Sequence, residues 1–348
     1  MCKTFSGYLV KRKPFSKIVT PDDINNRNPV MMSNKMLSRL KLEHGLRMTV
    51  EYSEVRGKKN VTKILSICGH EPEIYYNRKK LKETTVINPT EKFAFSDSKY
   101  TSLKVLDKFA PIGKGTRGLI VAPPRTGKTS LLKDLTLEVT EKNPDIFTLV
   151  LLVDERPEEI TDFKRSTDAV VFASSNDENL GAHVFTTSLA MSIAKNEVES
   201  GNDVLLLIDS LTRISRVYNL NHKGTGKVMS GGISAGALDI PRKFFGMARN
   251  IEEGGSLTIL ATILVDTGSR MDQLIFEEFK GTGNCDIILD RDLAENRIFP
   301  AIDILHSGTR KDELFYTEDE FEKLNNFRRS LLKRDKTSAL QTLINSVN

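Results

Sequence analysis

A chain of 348 residues can bury a sizeable core and fold as one large or two unequal domains, and 39% hydrophobic with 28% charged residues is an ordinary globular balance. No apolar run approaches the ~18 residues of a membrane span. The opening MCKTFSGYLVKRK lacks the apolar centre of a signal peptide, and Cys2, Cys68 and Cys285 are too few and too scattered for a disulfide framework or a metal site, which points to the cytoplasm. The net charge of +5 is uneven: residues 1–100 carry 20 Lys/Arg against 10 Asp/Glu, and the remainder carry 31 against 36, so a basic front end, either polyanion-binding or merely solvated, precedes a slightly acidic body.

Residues 1–75 read as short strands and turns. Strands are predicted at 7–10, 48–53 and 61–68, the last two joined by a turn over 54–60. A short helix is predicted within 33–42, and Pro21, Asn25, Asn26 and Pro29 mark loops. This is the size and texture of a small oligonucleotide-binding (OB), cold-shock-like β-barrel. Phe5, Tyr8 and Phe15 lie among Lys3, Lys11, Arg12, Lys13 and Lys17. Such interleaving suits base stacking on a single strand, and it equally suits aromatics that are simply core. Residues 76–104 read as a connector, with Lys79, Lys80 and Lys82 crowded together and Asn88-Pro89 interrupting any regular element.

Residues 105–348 read as a second domain. Apolar runs at 119–122, 147–153, 169–173, 204–208, 257–264 and 286–289 alternate with helical patterns at 130–141, 156–166, 182–199, 236–253 and 270–279. The alternation predicts an α/β fold with a mostly parallel, helix-covered sheet and ligands beyond the carboxyl ends of its strands.

The most informative stretch is GLIVAPPRTGKTSLLK at 118–133. An apolar run, a loop, and Leu131, Leu132, Leu135 and Val139 at helical spacing make strand, loop, helix, the context of a phosphate-binding loop. Unpaired N–H groups and the dipole favour an anion at such a helix start, so Arg125, Thr126, Gly127, Lys128, Thr129 and Ser130 are the nucleotide-binding candidates. Gly127 allows close approach, Lys128 places a charge on the β- and γ-phosphates, and the Thr129 hydroxyl can ligate Mg²⁺. The usual pattern starts with Gly, where this chain has Ala122.

Two strand ends add carboxylates. The run 204–208 ends in Asp209-Ser210, where a metal-organising acid belongs, although either residue could also cap a helix. The run 147–153 ends in Asp154-Glu155 before Pro157; Glu155 is the candidate to orient water, or else part of a capping motif. The glycine-rich segments 224–232 and 266–271, each with a cation, suit gripping a flexible backbone or serve as surface loops. Arg310, on a Gly-containing turn, can reach across a subunit boundary or pair with Asp312 or Glu313.

With LLVDERPEEITDF, LLLIDSLTRISRVYN, GKVMSGG, DTGSRMDQLIFEEFKGTGN and NRIFPAIDILHSGTRKDEL, the loop makes residues 105–315 resemble the bacterial transcription termination factor Rho family, which also opens its loop with Ala-Pro-Pro. The resemblance implies a homohexameric ring of RecA-like P-loop motors, each preceded by a small RNA-binding barrel. ATP and Mg²⁺ would sit between subunits, and the activity would be that of a 5′–3′ RNA helicase, an RNA-dependent ATPase. It would act on nascent single-stranded RNA and terminate transcription at the RNA polymerase elongation complex.

Position by position, the resemblance implies that Lys128 and Thr129 meet phosphate and Mg²⁺, Asp209 is the Walker B acid and Glu155 the catalytic carboxylate. Phe299 stacks on adenine, Arg310 is a finger from the neighbour, and Arg213 faces the same interface. RNA contacts would come from Lys227, Val228, Ser230 and Gly231, from Thr267, Gly268 and Arg270, and from Tyr8, which replaces the family's Phe. Arg125 and Arg270 stand where the family usually has Lys. The family's leading helical subdomain has no counterpart, and the barrel is expected in a shortened form. A rotary-type ring ATPase is disfavoured by the two cationic loops and the basic front end, and a catalytically weak RNA-binding regulator by the intact Lys128, Glu155, Asp209, Arg310 set.

Overall fold

The computed structural model describes residues 3–12, 15–24, 28–222 and 232–347. Its front part is a closed five-stranded barrel of β1 (Lys3–Val10), β2 (Ser16–Val19), β3 (Val30–Met32), β4 (Arg47–Val55) and β5 (Lys58–Ile67). Their order is β1-β2-β3-β5-β4, and β1 closes on β4. The β4–β5 hairpin turns on Arg56 and Gly57 with φ of 51° and 74°, the left-handed pair that matches the natural twist of two adjoining strands. The expected small barrel is present and closes on itself. β2 and β3 complete the ring, but at four and three residues they are too short to show a period in the sequence. Leu9, Ile18, Met32, Met48, Val50 and Ile67 fill the interior. The short helix within 33–42 spans Asn34–Arg39, with Ser33 capping it through the Met36 amide.

Side chains alternate along β1, so Leu9 points into the barrel while Tyr8 and Val10 point out. That outer face lies against the second domain. Tyr8 is 5% exposed, and its ring meets Phe172 edge-on at 5.2 Å. Tyr8 is therefore no stacking platform for a base; its hydroxyl and ring are sealed between the two parts of the chain. Polar groups fasten the same seam. Arg47 makes two bonds to the fully buried Glu197 carboxylate, at 2.8 and 2.9 Å. The equally buried Glu199 gathers Arg78, Lys80 and the Leu81 amide.

The second domain is built on one sheet. β6 (Val86–Ile87) is followed by β7 (Arg117–Ala122), β8 (Phe147–Glu155), β9 (Val170–Ser175) and β10 (Val204–Asp209). β11 (Arg249–Ile251), β12 (Ser256–Leu264), β13 (Cys285–Ile288) and β14 (Gly308–Thr309) complete it. The main path runs β14-β13-β7-β12-β10-β8-β9, parallel except for β14. β11 joins antiparallel to β12 and carries β6 on its other side. Helices cover both faces, which is why the central strands read as unbroken apolar runs. One face is covered by helices Leu180–Glu199 and Leu211–Asn221, the other by Thr101–Phe109 and Lys128–Lys142. Phe93 and Phe95, within the stretch 76–104, pack into this second core.

The helix expected over 236–253 is corrected. It spans only Asp239–Phe245, and 249–251 forms β11, which hairpins onto β12. Gly254-Gly255 forms that bend, and a Cβ on Gly255 would stand 2.2 Å from the Asn202 carbonyl oxygen, so only glycine fits. Helix Leu211–Asn221, which buries Leu211, Ile214, Val217 and Tyr218 on one face, lies outside the helical patterns expected above. No helix among the described residues is long and apolar enough to cross a membrane.

Candidate active site

The phosphate loop leaves β7, and Gly127, at φ 89°, starts helix Lys128–Lys142. Arg125 takes a φ of 67° at the exposed tip, while Thr126 is tucked in by a 2.8 Å bond from its hydroxyl to the Pro123 carbonyl. Thr129 follows in the first helical turn and Ser130 is exposed. β8 and β10 are neighbours in register, so their terminal carboxylates come out beside the loop. Lys128 Nζ lies 2.5 Å from Asp209 Oδ2 and 3.7 Å from Glu155 Oε1.

Both capping alternatives resolve. Ser210, not Asp209, caps helix Leu211–Asn221 by accepting from the Arg213 amide at 3.2 Å. Helix Pro157–Ser166 has no side-chain cap, so Glu155 is left for the site. A register shift between Val153 and Glu155, with Asp154 at φ 58°, marks a bulge that redirects Glu155. Arg213 donates to the Asp154 carbonyl at 2.5 Å and stands 3.1 Å from Glu155 Oε1. In this chain, then, Arg213 serves its own carboxylates.

Electrostatics separate the two acids. Burial and then the Asp209 charge raise the Glu155 pKa from 4.5 to about 7, against the pull of Lys128 and Arg213. Glu155 Oε1 is buried and accepts no hydrogen bond. Burial works against the Lys128 charge, but Asp209 and Glu155 outweigh it and hold the ammonium above its ordinary range. Thr262 of β12 donates to Asp209 Oδ1 at 2.8 Å and fixes the carboxylate. Sequence reading missed Thr262; its one signal was a hydroxyl inside a mostly apolar run, and Thr258 in the same run carries that signal too.

One carboxylate, Asp209, and one hydroxyl, Thr129, are hard oxygen donors of the kind that suit Mg²⁺, an ion that keeps waters and phosphate oxygens in its own shell. Among the described residues no cluster of three or more His, Cys, Asp or Glu offers an all-protein cage, and Mg²⁺ does not require one.

A cavity of about 500 Å³ opens beside the loop, lined by Thr126, Gly127, Ser130 and Phe299 among others. Phe299 is 51% exposed, and its ring stands 3.7 Å from where a Cβ on Gly127 would lie.

Arg310 is elsewhere. Its amide bonds to Asn284 O at 2.8 Å, next to the Cys285–Thr309 pair, and Cys285 lies opposite Gly118 at the start of β7. Asp312 is taken by Arg328 at 2.7 Å, and Arg310 makes no ion pair among the described residues.

The loop after β12 leaves the same sheet end as the phosphate loop. Gly268 has φ 75°, Arg270 is exposed, and Thr267 donates to the buried Asp272 at 2.6 Å. Lys227, Val228, Ser230 and Gly231 lie outside the described residues.

Residues 102–309 match the ATP synthase alpha/beta family, nucleotide-binding domain. A transcription termination factor Rho from Akkermansia muciniphila is 45% identical over 348 residues, covering 98% of this chain and 72% of that protein. One from Streptobacillus moniliformis is 43% identical over 335 residues, covering 94% and 79%. A solved ATPase from the type III secretion system of pathogenic bacteria shares the fold, with a TM-score of 0.62 at 20% identity over 84% of this chain and 95% of its own. With a phosphate loop, two strand-end carboxylates and relatives that match nearly the whole of this chain at these identities, the chain belongs to the transcription termination factor Rho family, built on an ATP synthase alpha/beta-type nucleotide-binding domain.

Proposed function

We propose that this chain is an ATP-dependent 5′–3′ RNA translocase that terminates transcription, acting as a homohexamer on nascent single-stranded RNA at the RNA polymerase elongation complex in the cytoplasm. The observation that carries it is the convergence of Lys128, Glu155 and Asp209 at the strand ends where the cationic 266–271 loop also emerges. Arg125 to Ser130 cradle the phosphates through backbone N–H groups, and Lys128 meets the β- and γ-phosphates. Thr129 and Asp209 would hold Mg²⁺, which when bound neutralises phosphate charge. Glu155 orients the attacking water through the oxygen that has no hydrogen bond of its own. Arg213 keeps that carboxylate aimed, Phe299 stacks on the base, and Arg310 completes a neighbour's site. Domain roles follow: 1–75 captures RNA, 76–104 connects, and 105–348 is the motor. Lys227, Val228, Ser230, Gly231, Thr267, Gly268 and Arg270 grip RNA in the channel.

The deciding experiment is ATP turnover with and without polyribocytidylate. RNA-stimulated hydrolysis supports the reading. RNA-independent hydrolysis returns it to a rotary-type ATPase, and RNA binding without hydrolysis makes it a regulator.

A further inference from the structure

At the end of the sheet where its parallel strands begin, three arginines gather without an acid of their own. Asn284, just before β13, ties two of them together. Its amide donates to the Arg117 carbonyl at 2.9 Å, and its carbonyl accepts from the Arg310 amide at 2.8 Å. Arg117 opens β7 and Arg310 follows β14, so their backbones stand roughly 10 Å apart, two strand spacings, with β13 between them. Arg249 comes from the other side, since β11 and β7 both pair with β12. None of the three makes an ion pair among the described residues. Arg249 donates to the Met247 and Leu81 carbonyls at 2.9 and 3.1 Å, which pins its charge. Arg117 Nε is buried with no hydrogen-bond partner. Such a donor on a charged group costs stability, and folds keep violations of that kind where a task requires them.

One acid feels Arg310. Asp286 pairs with Gly308, which puts it a diagonal step from Arg310 across the β13–β14 pair, within reach of a long side chain. Burial raises the Asp286 pKa and Arg310 pulls it back down, yet the two form no ion pair. A move of the Arg310 guanidinium onto Asp286 would carry it toward β7, and so toward Arg117. The charges of Arg249 and Arg310 both push the Arg117 pKa down, in the direction burial already takes it.

We infer that Arg117, backed by Arg249, is a positioning residue: its charge keeps Arg310 off Asp286 and leaves that guanidinium exposed and unneutralised for an anion brought by a neighbouring copy of the chain. The inference rests on the reading of Arg310 as a finger acting in trans, and adds what keeps the finger from being captured inside its own subunit. The fold gives up stability at Arg117 so that Arg310 stays available.

The test is RNA-stimulated ATPase together with thermal melting of the full chain, with hexamer formation checked by mass. Arg117→Met keeps the apolar stem and removes the charge. Its kcat should fall about tenfold with KM for ATP unchanged, because a finger acts on charge that builds up only in the transition state. Its melting temperature should rise, because a buried unpaired cation is gone. Arg117→Lys keeps the charge and should keep most of kcat. Adding Asp286→Asn to Arg117→Met removes the acid that captures Arg310, and should return kcat to within about twofold of wild type, a coupling that independent sites would not show. Wild-type kcat in Arg117→Met, or a loss that Asp286→Asn does not restore, overturns the inference; an inactive Arg310→Ala then leaves the finger itself standing. A melting temperature that falls along with kcat makes Arg117 merely structural and also overturns it. So does failure of Arg117→Met to form hexamers, cured by Arg117→Lys, which makes Arg117 an assembly contact. Full activity of Arg310→Ala removes the finger, and the inference with it.

Discussion

Glu155 can orient water only when ionised, and its surroundings set the pH at which that happens. Its pKa of about 7, raised by burial and by Asp209, predicts that kcat/KM falls on the acid side with a midpoint near 7. A flat profile between pH 6 and 8 would rule this out. The stability effect has the opposite slope. The folded protein holds the Glu155 proton up to about pH 7 and the unfolded chain releases it near 4.5, so stability falls as pH rises across that window. Glu155→Gln, melted without nucleotide, should therefore gain ~1–3 kcal/mol relative to wild type at pH 8 and almost nothing at pH 4. The same variant should bind ATP but lose most hydrolysis, while Lys128→Ala should lose binding as well; equal ATP affinities in the two would contradict these roles. Lys128, Glu155 and Asp209 were legible because each ends a strand or opens a helix, and such local patterns are written in consecutive residues. Thr262 reaches Asp209 only because β12 packs beside β10, an element distant in the chain, and no local pattern marks it.

At the scale of elements, helix Leu211–Asn221 joins two chemistries. Its first turn places Arg213 on Glu155, and one turn later Arg216 makes a bidentate contact with Asp272, which also accepts from Thr267. The nucleotide site and the 266–271 loop are thus held by one rigid rod. Asp272→Asn removes the charge and loosens both bonds; RNA stimulation of the ATPase should drop at least severalfold while RNA-free turnover changes little. Loss of both rates in parallel would mean that Asp272 matters only for folding. The barrel's attachment makes a second case. A strand over 7–10 was readable, but not which neighbour its outer face would meet, so the sequence left Tyr8 open between base stacking and core. Tyr8→Ala should destabilise the chain by ~3–5 kcal/mol, as truncations of buried aromatics do. Weakened single-strand RNA binding with an unchanged melt would restore Tyr8 to the RNA surface.

The whole molecule gives Arg310 its meaning. Thr309 pairs with Cys285 at the level of Gly118, whereas the phosphate loop follows Ala122, four residues on and ~13 Å along the strand. β13 also lies between β14 and β7. Exposed Arg310 therefore lies at the opposite end of the strands from its own Lys128, and Asp312, the obvious local partner, is taken by Arg328. In the hexameric ring proposed above, that edge would meet the next subunit's loop, so hydrolysis would wait on closure of the interface. A finger of this kind contributes ~10³–10⁵ in rate, because it meets charge that builds up in the transition state. Lys128→Ala and Arg310→Ala rings should each be inactive alone. Dissociated and reassembled together, they form some interfaces with an intact loop on one side and an intact Arg310 on the other, and basal ATPase should partly return. Verified subunit exchange with no recovery at any mixing ratio counts against action in trans, and full activity of Arg310→Ala alone removes any catalytic role.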